Sequence, residues 1–286
     1  MKDFPWKILT TECILISILL VFCATQKKET FDQVIMQSQQ QMVGGHYQKA
    51  LDHYIVACEK NPEDKLLLEN YLMTVKRIKQ TGDMALEAEN FALAEKIYSV
   101  LLKNYSHFKK FDPSLSFTKN SLSITLRNCR ISLSERQSRQ YLDADEFEKA
   151  INSYRVRYLE YPNDPVLLTN LINIILDLKF LAEIAITKED FLSTGRIYCA
   201  LLKNYKYFNK FYKSLSLPKK FLDEGLNNCR LQLTKKGLEH YRKGNLADAI
   251  IVWKGILKFD PDNQQIKKAI ETATTQLKNL RKKEIQ

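Results

Sequence analysis

The chain is 286 residues long, with 45% apolar residues, 27% charged residues and a formal net charge of +11. This balance is typical of an ordinary globular body, and the presence of only 8 glycines and 7 prolines argues against a turn-rich β fold. The positive charge predicts either solvated helix faces or attraction to anionic lipid headgroups, cell-wall polymer or an acidic partner.

The first thirty residues have the order of a secretory signal. Two lysines precede a mostly apolar stretch at 8–22, and polar residues begin at 25. The core at 13–24 has 12 residues, whereas a spanning helix needs about 20. The run Leu20–Cys23 resembles a bacterial lipoprotein box, which implies a lipoprotein signal peptide at 1–22, lipidation of Cys23 and a polar tether at 23–30. An uncleaved short anchor and ordinary cleavage near Ala24 are the alternatives.

Three later segments share one apolar pattern: GHYQKALDHYIVACEKNPED at 45–64, DEFEKAINSYRVRYLEYPND at 145–164 and GNLADAIIVWKGILKFDPDN at 244–263. In each segment an aromatic residue or leucine is followed by an alanine, a large aromatic residue and a proline. On a helix this spacing places the first three on one face, and the proline lies where the helix must stop. Ala50, Ala150 and Ala249 therefore predict close helix–helix contacts.

A longer similarity recurs at an offset of one hundred positions. AENFALAEKIYSVLLKNYSHFKKF at 88–111 returns as KEDFLSTGRIYCALLKNYKYFNKF at 188–211, and the match continues to 133 and 233. Duplication at a fixed offset is typical of repeat proteins, which present extended surfaces to partners. We predict matched aromatic and basic loops at 106–118 and 206–217. We predict paired helices at 30–43 with 46–60, 65–88 with 90–105, 118–143 with 146–160, 165–188 with 190–205 and 218–243 with 246–259, and a closing helix at 263–283.

The shared pattern resembles the tetratricopeptide (TPR) repeat over roughly 31–263, with Gly237, Tyr241, Gly244, Ala249 and Trp253 in the best-matching copy. The middle copy carries an aspartate where the turn glycine is usual. The resemblance implies an all-α fold of helical hairpins in a right-handed solenoid, with a capping helix and tail at 264–286. It also implies a partner groove lined by the first helix of each pair. The groove candidates are Gln37, Gln41, Gln137, Arg139, Gln140, Lys236, Glu239 and His240.

Signals for chemistry are weak throughout the sequence. Phosphate-binding glycine loops, a nucleophile elbow and an HExxH motif are all lacking, and no CxxC pair suggests zinc. We therefore predict a non-enzymatic protein without catalytic residues, metal or cofactor. The cysteines of the predicted body are expected to be buried free thiols; they are Cys58, Cys129, Cys199 and Cys229.

Together these features predict a protein–protein interaction scaffold or assembly factor in the bacterial cell envelope. It would face the periplasm as an outer-membrane lipoprotein, attached through the lipid anchor, and would bind other envelope proteins rather than nucleic acid. A role in a machine such as a pilus, a secretin or outer-membrane protein insertion is one version of this hypothesis. A cell-wall-binding protein, or an enzyme with an unrecognised site, is the alternative.

Overall fold

The computed structural model describes residues 31–211 and 215–285, which are helical almost throughout and contain no strand in either range. The prediction of an all-α fold is therefore confirmed. The predicted signal peptide, the tether and the lipidation site Cys23 lie outside the described residues.

Twelve helices occupy the described ranges, and the predicted boundaries agree with them to within a few residues. They are α1 (31–43), α2 (Tyr47–Lys60), α3 (Lys65–Glu87), α4 (Phe91–Lys103), α5 (Tyr105–Phe108), α6 (Lys119–Asp143), α7 (Phe147–Glu160), α8 (Pro165–Thr187), α9 (Phe191–Phe208), α10 (Lys219–Arg242), α11 (Leu246–Ile256) and α12 (Gln264–Ile285).

The two predicted loops begin as helix instead. Helix α5 continues into a 3-10 helix at Lys109–Ser114, and α9 runs to Phe208 before a 3-10 helix at Asn209–Phe211. The reason is a helical i, i+3 aromatic pair in each copy: Tyr105 lies 5.3 Å edge-on from Phe108, and Tyr205 lies 5.2 Å from Phe208. Because both phenylalanines are fully buried, the chain must stay helical far enough to insert them.

Side-chain caps and turn residues define the helix ends. Asp64, Asn90, Asp164 and Asp190 each accept a hydrogen bond from a backbone N–H in the first turn of α3, α4, α8 and α9. The three prolines of the shared pattern lie beyond the ends of α2, α7 and α11, as predicted.

The hairpin turns before α2, α7 and α11 use one left-handed backbone position. Its φ is 70° at Gly45, 57° at Asp145 and 81° at Gly244. Glycine adopts this conformation without a Cβ clash, whereas other residues adopt it at a cost. The middle copy therefore keeps the turn geometry of the other two, although an aspartate occupies it.

The chain divides into two compact units, with the boundary inside α6 between Arg130 and Ile131. In unit 1 the core is built on Tyr54, Tyr71, Tyr98 and Phe108. In unit 2 it is larger and includes Trp253 with leucines and isoleucines of α7–α11. Tyr98 and Phe108 of unit 1 and their counterparts Tyr198 and Phe208 of unit 2 are all buried in these cores.

The three alanines of the shared pattern are completely buried, as predicted. Each faces a small residue on the preceding helix. The Ser38 hydroxyl donates to the Ala50 carbonyl at 3.0 Å, and Ser138 donates to Ala150 at 3.2 Å. The third copy has Gly237 instead, and a Cβ there would come within 2.2 Å of Trp253 Nε1. A bulkier aromatic ring thus fills the space that the serine uses elsewhere.

An arginine at equivalent positions of the two copies keeps a carboxylate partner by different means. In unit 1, Arg130 Nε lies 2.9 Å from Glu95 of α4. The counterpart of Glu95 is a glycine, Gly195, on which the ring of Phe259 packs so closely that a Cβ would meet it at 2.7 Å. Arg230 accordingly pairs with Asp260, after α11, at 2.6 Å.

Candidate interaction surfaces

The groove candidates of unit 1 lie on α1. Gln37 is exposed and lines a cavity of about 510 Å³ between α1, α2 and the start of α3. Gln41 is half-buried, and its Oε1 has no hydrogen-bond partner among the described residues. Apolar and polar side chains share the cavity wall. They are Phe31, Gln33, Val34, Gln37, Asp52, His53, Val56, Ala57, Lys60, Asn61, Asp64 and Leu67.

Two carboxylates and a histidine line this cavity, but both carboxylates already accept hydrogen bonds from residues of α2 and α3. Asp52 accepts a hydrogen bond from Gln48 at 2.8 Å, and Asp64 caps α3 through the N–H of Leu67. No hydrogen bond joins either carboxylate to His53 in the described part of the chain. The cavity wall therefore combines apolar side chains with carboxylates that already accept hydrogen bonds within the protein.

The other groove candidates lie on two separate helices, and several are already paired. On α6, Arg139 forms an ion pair with Glu135 at 2.5 Å, while Gln140 is exposed and Gln137 half-buried. On α10, the hydrogen bond from Lys243 lowers the pKa of Glu239. Lys236 is exposed, and His240 Nδ1 lies 3.8 Å from Asp248. Within the described ranges, no hydrogen bond or ion pair joins the α6 candidates to those on α10.

A different surface emerges on α8, which is the first helix of its pair. Leu176, Phe180 and Leu181 remain 40%, 62% and 36% exposed. Leu176 and Phe180 are one helical turn apart and therefore share a face. The opposite face of α8, with Leu171, Ile175 and similar residues, is buried in the unit 2 core. We call Leu176, Phe180 and Leu181 the α8 patch.

The duplicated helix α3 is an internal reference for the α8 patch. The equivalent positions of α3 are Lys76, Gln80 and Thr81. Although α3 also exposes Leu66, Met73 and Met84, successive members of this set lie two to three helical turns apart, and the polar residues lie between Met73 and Met84. The packing of a helix pair therefore does not require apolar residues at these positions.

The apolar residues on both faces also make α8 the one helix in the described ranges that is long and apolar enough to cross a membrane. The core helix of a water-soluble protein meets the same criterion. Sequence periodicity missed the α8 patch because a helix that is apolar all round does not show which face is buried. Comparison of the two copies would have found it.

Polar side chains connect α7 to α9 in unit 2. Arg196 of α9 donates to the backbone oxygen of Asp145, and Lys203 lies 2.8 Å from Glu148. Further along, Arg155 Nη1 donates to Asn204 Oδ1 at 2.9 Å. We call this line of contacts the α7–α9 seam.

The corresponding contact of unit 1, between α2 and α4, repeats the first part of the seam only. Lys96 donates to the Gly45 carbonyl at 2.9 Å, and Gln48 exchanges hydrogen bonds with Asn104. The contact between Arg155 and Asn204 has no equivalent in unit 1, because Ile55 occupies the position of Arg155.

The four cysteines predicted as free thiols are unpaired, and Cys58, Cys129 and Cys229 are buried. Burial raises the pKa of each, in the case of Cys229 to about 11. Cys199 is half-buried, and its thiol donates to the Phe259 carbonyl at 3.4 Å. A raised thiol pKa disfavours the nucleophilic thiolate. These cysteines therefore act as small apolar residues.

Residues 31–211 and 215–285 contain no group of three histidine, cysteine or carboxylate side chains placed to hold a metal ion. Comparison with known proteins found no matching family model, no matching curated protein and no matching solved structure.

Proposed function

We propose that the chain is a non-enzymatic, TPR-like scaffold of the bacterial cell envelope that binds a segment of another protein. In this proposal the helix pairs stack as a right-handed solenoid closed by α12. Cys23 carries a lipid that holds the chain at the outer membrane, facing the periplasm.

The observation that carries the proposal is the α8 patch. It lies on the first helix of a pair, which is where the TPR resemblance puts the partner groove. The duplicated helix has polar residues there, so the patch is not a requirement of the fold. Contiguous exposed apolar residues on a folded protein mark interaction sites, and Phe180, exposed by 62%, is suited to anchor a partner.

The partner expected from this chemistry is a segment that presents apolar side chains, such as one face of an amphipathic helix. Burial of one large apolar side chain contributes about 1.5–3 kcal/mol. Replacing the α8 patch with the residues of α3, as Leu176→Lys, Phe180→Gln and Leu181→Thr, should weaken partner binding by about tenfold or more. Because α3 folds with these residues, the triple variant should keep its helical content.

The test begins with a photo-crosslinking amino acid at position 180 in cells that produce the chain. The matched control carries it at Ile251, which is 68% exposed on α11. The species crosslinked only from position 180 is then purified, and its affinity is measured against the wild type and the triple variant. Equal crosslinking from positions 180 and 251 would refute the α8 patch as the binding surface. Equal affinity of the wild type and the triple variant for the crosslinked partner would refute it as well. A crosslink between two copies of this chain would replace the heterologous partner by self-association.

The anchor is tested separately. Labelled palmitate should enter the wild type and not a Cys23→Ser variant. Mass spectrometry that finds an intact Met1 terminus, or a terminus at Ala24 or later, would contradict the proposed lipidation without affecting the α8 patch.

A further inference from the structure

We propose that the far end of the α7–α9 seam is a binding site for a phosphate-bearing anion, formed by Arg155, Lys206 and Lys210. The inference is independent of the scaffold role. Arg155 lies on α7, Lys206 lies in the last turn of α9, and Lys210 lies in the 3-10 helix that follows α9. Unlike the other basic residues that the structure describes, they are arranged around a buried asparagine and aromatic rings.

Arg155 is held in place by residues from α9. Its Nη1 donates to Asn204 Oδ1 at 2.9 Å, and Asn204, which is completely buried, is itself fixed by donating to the Ala200 carbonyl at 2.9 Å. The guanidinium carbon lies 4.8 Å from the ring centroid of Tyr207. A guanidinium oriented by a buried amide and an aromatic ring has lost its conformational freedom before a ligand arrives, which favours binding.

The positive charge of Arg155 has no carboxylate partner in the described ranges. Its Nε is closed off from solvent and bonds to no acceptor there. Buried donors are normally satisfied, and an unsatisfied one on a charged group is costly. An anion on the outer nitrogens would compensate the charge of the whole guanidinium, because that charge is delocalised.

Two lysines extend the cationic surface. Lys206 Nζ lies 4.9 Å from the same Tyr207 centroid and is exposed. Lys210 Nζ lies 4.9 Å from the Phe211 centroid and donates to the Tyr158 hydroxyl at 3.1 Å. Neither has an ion-pair partner among the described residues. Three uncompensated cations favour an anion that carries more than one charge, and a phosphate monoester or polyphosphate does so at neutral pH.

The first of the two long sequence copies, which forms unit 1, lacks most of this site. The counterparts of Arg155, Lys206 and Tyr207 are Ile55, Ser106 and His107. Since α2, α4 and α5 fold without these cations, the cluster is not needed to form the helix pair. The same comparison supplies the variant for a test: Arg155→Ile with Lys206→Ser introduces residues that the first copy already accommodates.

The experiment titrates the full-length chain, in uncharged detergent at low ionic strength, with sodium tripolyphosphate by calorimetry. The wild type should bind, and the Arg155→Ile, Lys206→Ser variant should bind at least about tenfold more weakly. A control with Lys254→Ser and Lys268→Ser, two exposed lysines of unit 2, removes as many charges and should stay within about twofold of the wild type. If the double variant does not fold, Lys206→Glu at the exposed position serves in its place.

A second arm identifies the source of the phosphate. Phosphatidic acid, whose headgroup is a phosphate monoester, is added to the micelles. It should compete with tripolyphosphate if the site accepts a lipid headgroup, and should not compete if the ligand is a soluble phosphate. The proposal is overturned if the wild type does not bind at about 10 mM tripolyphosphate, or if the control loses as much affinity as the variant. It is also overturned if polyglutamate of equal charge binds more tightly, since the site would then serve carboxylates.

Discussion

Replacing Gly237 by alanine tests whether the third repeat depends on its glycine–tryptophan contact. The new Cβ would lie 2.2 Å from Nε1 and 2.5 Å from Cδ1 of Trp253. That ring is only 4% exposed and reaches the Thr234 carbonyl at 3.5 Å, so it cannot move aside as a flexible side chain would. Overpacking of this kind destabilises a protein by about 1–3 kcal/mol. Replacing a glycine inside a helix by alanine stabilises the helix by up to about 1 kcal/mol, which offsets part of that loss.

The expected result is a loss of about 1–2 kcal/mol in the free energy of unfolding. In a chain of this size each kcal/mol lowers Tm by about 2–4 °C, which thermal denaturation followed by circular dichroism resolves. Gly255→Ala is the control, because its Cβ would meet only the flexible end of Leu192, at 3.3 Å. This variant should be neutral or slightly stabilised.

A double variant separates the contact between positions 237 and 253 from any other effect that a substitution has on the stability of α10. The other two repeats pair serine with tyrosine, as in Ser138 and Tyr154. Gly237→Ser with Trp253→Tyr should therefore be more stable than the sum of the two single variants predicts, with a coupling of about 1 kcal/mol in a double-mutant cycle. A Gly237→Ala protein as stable as the wild type, or additive single effects in the cycle, would show that the ring does not occupy the space described.

Three further outcomes are expected. Glu189→Gly should stabilise the chain by about 0.5–1 kcal/mol in urea denaturation, since φ is 56° there; the same change at helical Glu271 should destabilise it, and a loss at both positions would contradict the left-handed geometry. Burial raises the pKa of Cys229 to about 11, so the folded state retains the thiol proton that the unfolded chain releases. The stability that Cys229 contributes is therefore complete below the pKa of the unfolded thiol and is lost as pH rises towards 11. Cys229→Ala should flatten this decline in the free energy of unfolding, and an unchanged decline would show that the thiol is accessible to solvent. Ala249→Leu should cost about 1–3 kcal/mol by overpacking a fully buried contact, and an unchanged Tm would be inconsistent with that burial.

The helices were predictable because their signals are local. Prolines beyond the helix ends and apolar residues at steps of three and four determined nearly every boundary. The start of the loop at 106 was misplaced because its lysines and aspartate suggest a loop by composition. Only the packed structure shows that Phe108 must reach the core.

The candidate surfaces could not be predicted in the same way. Arg155 and Asn204 are 49 positions apart and meet only when α7 packs on α9. The α8 patch requires knowledge of which face of an apolar helix is covered. In both cases the useful signal was the difference between two copies of one sequence, since residues that the fold requires recur and the others diverge.

Arg130 and Arg230 occupy equivalent positions but pair with carboxylates at different places in the chain. This difference limits recombination between the two sequence copies. A crossover between the similar stretches of the gene that placed the α4 glutamate at position 195 would force its side chain into the ring of Phe259. The reverse exchange, a glycine at position 95, would remove the carboxylate that lies 2.9 Å from Arg130. Unequal recombination therefore gives a poorly packed product when its breakpoint joins the α4 glutamate to the segment that carries Phe259.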